Sequence, residues 1–420
     1  MSRNLASTAG VVRFVTFMTR LLALAVVLPA LVGASPASAK VGDLYAFRYG
    51  ANMNMLIPYD PVLLVPSGPA IRMGHFAHAW SISPDRSRLV VAASVRPRKG
   101  LPAALRFVDL ANGRIDGTLS LPGELRRVTA TAWVRGRVLV VVSGSDSTTV
   151  YSIDPDKRAM IAQVEFPGTV VLGERAYNRL VLLLATPDLI GPATIAVVDQ
   201  SPRVRTVLLE RISVGLTVTG AGAERRSTVR RPGLALDPSG ERAFVFGAEE
   251  PVAAVNLRTL AVRYAPIRMI AAIQKTGEGS VRTAATLPDG RIVVSGLEFG
   301  GAGSTPRMAA TSLQIVDPSD WSSRVLDPRA YWFRVGGGMV FTHGPRGTGV
   351  RILKPSGSVF ELFPSRTVAS VHVIGPRAFV IFSGSKQKAA VIELATGRVV
   401  RQTVPAHPLI GAGQPFIGLG

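Results

Sequence analysis

The 420-residue chain contains no cysteine. Disulfides are excluded, and so is a lipid anchor at a processed cysteine. Stability must come from buried apolar surface, and a chain of this length that is 47% apolar can supply it. Lysine is scarce, at positions 40, 99, 157, 275, 354, 386 and 388 only, so 41 of the 48 basic residues are arginine. Acids number 27, which leaves a formal net charge of +21. GC-rich codons account for much of this arginine excess. The charge acts on nearby anionic polymers or surfaces whatever its origin.

Motifs of known chemistry are missing as well. There is no Gly-x-Ser-x-Gly elbow and no P-loop. Ser143–Asp146 and Ser383–Ser385 read as loops, and the glycine runs at 300–304 and 336–338 read as turns. Of the five histidines, at 75, 78, 343, 372 and 407, only His75 and His78 are close. Residues three apart on a strand face opposite sides, and no third ligand stands near, so packing is expected there and not a metal. The residues single out no catalytic group and no cofactor. Carboxylates assembled from distant loops remain open.

The N-terminus reads as an address. Arg3, Arg13 and Arg20 precede an apolar run from Leu21 to Gly33, and Ala37-Ser38-Ala39 offers a small-x-small cut. This pattern predicts a signal peptide over 1–39 and a mature domain over 40–420. The run is too short for the roughly 20 residues of a spanning helix, so no transmembrane segment is expected in the mature chain. The lack of an Arg-Arg pair favours the general secretory route. Met18 competes with Met1 as the true start. The expected location is outside the cytoplasm, secreted or in the cell envelope.

What the mature chain has is a repeat. Short apolar β-runs end in Asp, Asn or a substitute, turn, and resume. These markers stand at 60, 109, 154, 199, 256, 317, 354 and 393. Their mean spacing of about 48 residues is that of a four-stranded propeller blade. Asp and Asn suit such turns because their side chains accept from backbone N–H groups two residues on. Ser83-Pro84-Asp85, Asp237 to Gly240 and Ala395-Thr396-Gly397 punctuate the rest. With them the chain resembles the YVTN/NHL-type β-propeller repeat proteins, although the four-letter strand signature is missing. The resemblance implies an all-β propeller of four-stranded blades. Eight blades are expected, with seven as the alternative. Leu44–Tyr49 reads as the second strand of a unit whose first strand lies in 410–419, so the ring would close through both termini.

Two marker gaps, of 57 and 61 residues, exceed the mean. The first holds Thr217–Pro232 with Arg225, Arg226, Arg230 and Arg231, a candidate anion-binding loop. It has no aromatics to stack bases, so nucleic acid is not expected. The expected function is non-catalytic binding of a protein, glycan or anionic envelope polymer at one ring face, by a monomer. The alternative is a propeller enzyme of lactonase, lyase or quinoprotein type with its site in the central funnel.

Overall fold

The computed structural model describes residues 44–418 apart from 49–53, 75–76, 94–103, 123–126, 177, 188, 220–225, 249–250, 267–276, 301–306, 343–347, 355, 384–387 and 404–415. The expected leader, Arg225, His75, His343 and His407 lie outside the described residues. No described residue is helical, and no helix long and apolar enough to cross a membrane is found among them.

The strands follow from local chemistry. Runs such as Arg137–Ser143 (RVLVVVS) are rich in β-branched residues, which favour extended backbone. Nearly all of that run is buried, so both faces of the sheet are covered. Successive strands pair antiparallel in four-stranded meanders, one in each of four sheets and two in each of the two larger sheets.

The first unit takes strands from both ends of the described chain: Phe416–Gly418, Leu44–Arg48, Asn54–Tyr59 and Ile71–Gly74. Tyr45 pairs with Ile417 in its register. The second is Ala77–Ile82, Arg88–Ala93, Ala104–Asp109 and Arg114–Ser120. The third is Arg127–Val134, Arg137–Ser143, Ser147–Asp154 and Ala159–Pro167. The fourth is Thr169–Ala176, Arg179–Ala185, Gly191–Val198 and Val204–Thr219. The fifth is Gly233–Leu236, Arg242–Phe246, Val252–Asn256 and Val262–Ala265. The sixth is Gly277–Thr286, Ile292–Gly300, Leu313–Val316 and Ser323–Asp327. The seventh is Phe333–Gly336, Met339–Thr342, Thr348–Leu353 and the first half of Val359–Ile374. The second half of that strand opens the eighth, with Arg377–Phe382, Ala389–Glu393 and Val399–Thr403.

Each turn marker stands at the end of a third strand. Asp154 Oδ1 accepts from the N–H groups of Asp156 and Lys157, both at 3.0 Å. Asn256 Oδ1 accepts from Arg258 and Thr259, both at 2.9 Å. Asp60 and Asp317 make the same kind of turn.

The apolar clusters lie between units. Val90, Ala92, Leu105 and Phe107 of the second unit pack on Val138, Val140 and Val142 of the third. Leu89, Val91 and Val108, on the other face of the second unit, pack on Tyr45, Leu56 and Met73 of the first. The two-residue period therefore divides each sheet between its neighbours. One further cluster joins Phe379, Ile381 and Val391 of the eighth unit to Leu44, Ala46 and Tyr59 of the first.

First strands of successive units lie side by side, as with Ala77–Ile82 and Arg127–Val134. Trp133 Nε1 donates across that boundary to the Ser81 carbonyl at 3.0 Å. First strands thus line the centre, while the last strands, such as Ala159–Pro167, are exposed at alternate positions. The two long marker gaps are β-structure in part. Gly215–Thr219 forms a hairpin with Arg226–Arg230, and 297–300 pairs with 307–310.

Candidate functional site

In an antiparallel meander the first-to-second and third-to-fourth turns fall at the same end. Arginine recurs there. The second strand opens on arginine at 88, 137, 179, 242 and 377, and Arg291 directly precedes another. Opposite stands the marker ending the third strand, in register as Arg88–Asp109, Arg242–Asn256 and Arg377–Glu393.

Acids reach Arg88 and two further arginines, Arg158 and Arg351, across unit boundaries. Arg88 Nη1 lies 2.5 Å from Asp156, Arg158 Nη2 is 2.6 Å from Asp116, and Arg351 Nη1 is 2.6 Å from Asp327. Around the fourth unit the balance changes. A depression of about 690 Å³ is lined by Arg135 from the third unit, Arg179, Arg203 and Arg205 from the fourth, and Arg258 from the fifth. Asp199 is the acid in this lining, and its carboxylate is engaged by the N–H groups of Ser201 at 2.8 Å and Arg203 at 3.0 Å.

The five guanidinium groups are held differently. Arg205 donates to the carbonyl oxygens of Arg258 at 2.6 Å and Leu257 at 2.8 Å. Arg179 donates to Asn178 Oδ1 at 2.8 Å and stands 3.5 Å from Glu241. Arg135, Arg203 and Arg258 are exposed and form no side-chain hydrogen bond or ion pair among the described residues. Arg135 also sits at φ 44, beside Gly136 at φ 77, in a two-residue hairpin turn. Asn or Gly is the usual occupant of such a turn, and a larger residue there carries backbone strain of order 1 kcal/mol. Past Arg203 and Val204 the depression continues into a groove of about 770 Å³ between the third and fourth units.

A second cavity, of about 410 Å³, lies where the first strands of the fourth to seventh units end. Its walls carry Glu174, Arg175, Asp237 and Thr286 among apolar residues and the 336–338 glycines. Asp237 is engaged by Ser239 Oγ and by the N–H groups of Glu241 and Arg242. Glu174 is open to water yet hemmed by protein on most sides, and this desolvation pushes its carboxyl up to about 7.

Arg226, Arg230 and Arg231 lie on the strand Arg226–Arg231, which also runs parallel to Gly279–Val281. Arg230 is half-buried and Arg231 exposed, and partial desolvation lowers the Arg231 pKa. This strand enters the fifth unit from the end opposite the turns, so it and the arginine-lined depression occupy different faces. The depression was not legible as a site, because its arginines are scattered from 135 to 258, and of them only Arg179 belongs to the recurring arginine that opens a second strand.

No protein-family model matches the chain, and no curated protein matches it. Solved structures do. The dihydro-heme d1 dehydrogenase NirN is 12% identical, with 89% of this chain and 75% of that one covered at a TM-score of 0.54. AztD from Citrobacter koseri is also 12% identical, with 89% and 97% covered at a TM-score of 0.52. The chain is a β-propeller. At this identity the likeness shows the fold and nothing of the chemistry. The depression thus lies among the turns of the third, fourth and fifth units, and the 410 Å³ cavity among the first-strand ends of the fourth to seventh.

Proposed function

We propose that this chain is an exported, non-catalytic β-propeller of eight blades that binds an anionic envelope polymer at its turn face. Residues 1–39 are the leader, and 40–420 form a single monomeric domain closed through its two ends. The observation that supports this most is the depression between blades three, four and five. Five arginines line it, its one acid is engaged by backbone N–H groups, and three of the guanidinium groups have no partner among the described residues. Guanidinium groups are planar donors suited to carboxylate and phosphate oxygens, so the depression fits a chain of such anions. The adjoining groove past Arg203 gives an extended ligand room to continue. Arg225, Arg226, Arg230 and Arg231 are a second anion contact, of which the strand Arg226–Arg231 lies at the end opposite the turns.

Retention of the mature protein on a polyanionic matrix tests the reading. Binding through exposed charges weakens as salt rises, because the screening length is about 8 Å at physiological ionic strength. Salt-independent retention, or none, would count against it. For the four arginines at 225–231, replacement by serine should weaken retention more than the lower net charge alone predicts.

The enzyme reading draws on one observation, the Glu174 carboxyl in the 410 Å³ cavity. The other acid in that cavity, Asp237, is engaged in its own turn. A single acid without a second carboxylate or imidazole beside it leaves acid–base chemistry incomplete. Lactone hydrolysis abolished by Glu174→Gln would establish the enzyme reading instead.

A further inference from the structure

At the end opposite the turns, strands of three units join in one further sheet. The last strand of the fourth unit runs on through 215–219, which pairs with Arg226–Arg231. That strand runs parallel to 277–282, which pairs with 297–300, and 297–300 pairs in turn with Arg307–Ala310. Residues paired across strands share a face, and neighbours along a strand alternate. Register therefore sorts the side chains. Thr217, Thr228, Arg230, Ser280, Arg282 and Glu298 take one face. Leu216, Val218, Val229, Val281, Leu297 and Ala310 take the other. The polar face is the covered one: Ser280, Arg282 and Glu298 are buried, and Arg282 donates to the Ala248 carbonyl of the fifth unit. The apolar face turns outward. Leu216 and Val218 are 47% and 42% exposed, and Val229, Val281, Leu297 and Ala310 are half-buried. A sheet with one wet face normally buries its apolar side. This one is inverted, and contiguous apolar surface left outward marks a place where something docks.

Charge says what docks there. The five paired segments carry five arginines, at 226, 230, 231, 282 and 307, against two acids, Glu278 and Glu298. Glu298 is taken by Arg282 on the covered face, so the excess that remains is positive. Arg231 stands in register with Val281 on the apolar face and is exposed. Apolar side chains bordered by arginine suit a lipid surface: the apolar groups enter the acyl boundary while the guanidinium groups meet headgroup phosphates. A second copy of this chain would instead set like charge against like. We propose that this outward apolar face docks on a bilayer containing acidic phospholipid. The proposal rests on the export and on the second anion contact proposed above, and gives that contact a lipid phosphate as its partner. Partial desolvation already lowers the Arg231 pKa, and a phosphate beside it supplies the missing counter-charge. The long stem of the same side chain lies along apolar surface while its head reaches the phosphate.

The test is co-sedimentation of the mature full-length protein with vesicles of phosphatidylcholine alone and of phosphatidylcholine mixed with phosphatidylglycerol. At physiological ionic strength the protein should sediment with the mixed vesicles and not with the neutral ones. Leu216→Thr combined with Val218→Thr keeps β-formers in the strand and removes apolar surface. It should weaken vesicle binding at least about tenfold and leave retention on a polyanionic matrix unchanged. Leu216→Trp supplies a second readout on the face itself. Its added emission, measured against the unsubstituted protein with its four tryptophans, should shift to the blue on acidic vesicles and be quenched by brominated acyl chains. The proposal is overturned if acidic vesicles fail to sediment the protein, if the double variant binds them as tightly as the parent, or if brominated chains leave the added tryptophan unquenched. A dimer of the parent that the double variant dissolves would overturn it as well, and would give the face to a second copy. Retention on the matrix without vesicle binding refutes this proposal alone, whereas vesicle binding without such retention refutes the turn-face reading alone.

Discussion

Leu44 and Ile381 stand near opposite ends of the described chain, and both are fully buried in one apolar cluster. That cluster joins the last four-stranded unit to the first, as the clusters described above join consecutive units. It gives the proposed closure an energetic basis beyond the pairing of Tyr45 with Ile417. Leu44→Ala and Ile381→Ala should each destabilise the whole domain, by about 2–5 kcal/mol, since truncating a buried leucine or isoleucine loses transfer energy and opens a cavity. Chemical denaturation should show a shifted midpoint in a single transition. A separate early transition for the Leu44 variant, with the main one unmoved, would mean the first blade is only appended.

Arg282 and Glu298 form an ion pair at 2.7 Å, with 0% and 11% of their side chains exposed. Breaking such a pair leaves an uncompensated buried charge. Glu298→Ala should therefore cost about 3–5 kcal/mol, and adding Arg282→Met should recover part of the loss. A double variant less stable than Glu298→Ala alone would show that Arg282 matters mainly for its hydrogen bonds to the carbonyl oxygens of Ala248 and Leu297.

His372 is buried, with Ser370 Oγ at 2.9 Å, and burial together with the nearby Arg334 guanidinium pushes its pKa down to about 3. The unfolded chain holds this proton from pH 6.5 downward, whereas the folded protein refuses it until about pH 3. Between those limits the histidine makes stability fall with falling pH, by up to about 1.4 kcal/mol per unit. His372→Gln should flatten that acid limb in denaturation midpoints taken from pH 7 to pH 4. An unchanged slope would place the acid sensitivity elsewhere.

The repeat was legible because turn chemistry is local. Asp109, Asp154 and Asp199 each bind backbone N–H groups a few residues on, so their spacing alone marks the third strands. Leu44–Arg48 was legible as an orphaned second strand because no β-run precedes it to pair with. The segment Thr217–Pro232 read as a loop, for its glycines and serine mask a hairpin held by long pairing, as in Thr217 with Thr228. The arginine-lined depression was hidden for another reason. Period two says which face a residue takes, and nothing local says that Arg135, Arg203 and Arg258 converge from three blades. Glu174 likewise reads as one polar residue in an ordinary strand, and only the packing of four units places it in the 410 Å³ cavity.

The proposed export predicts a processed N-terminus. Ala37-Ser38-Ala39 follows the apolar run at the right distance, so mass analysis of the exported protein should begin at Lys40. A form retaining the residues before Lys40 would indicate an anchored protein.

The reading of the turn face as an anion-binding surface is tested most directly by two triple variants of equal net charge. One replaces Arg135, Arg203 and Arg258, which line the depression, with serine. The other replaces the exposed Arg114, Arg398 and Arg401, which do not line it. Affinity for a defined polyanion is measured for both at physiological ionic strength. The first variant should bind at least about tenfold more weakly than the second, a difference of about 1.4 kcal/mol. Equal losses in the two variants would mean that net charge alone governs the attraction, and would contradict a site in the depression.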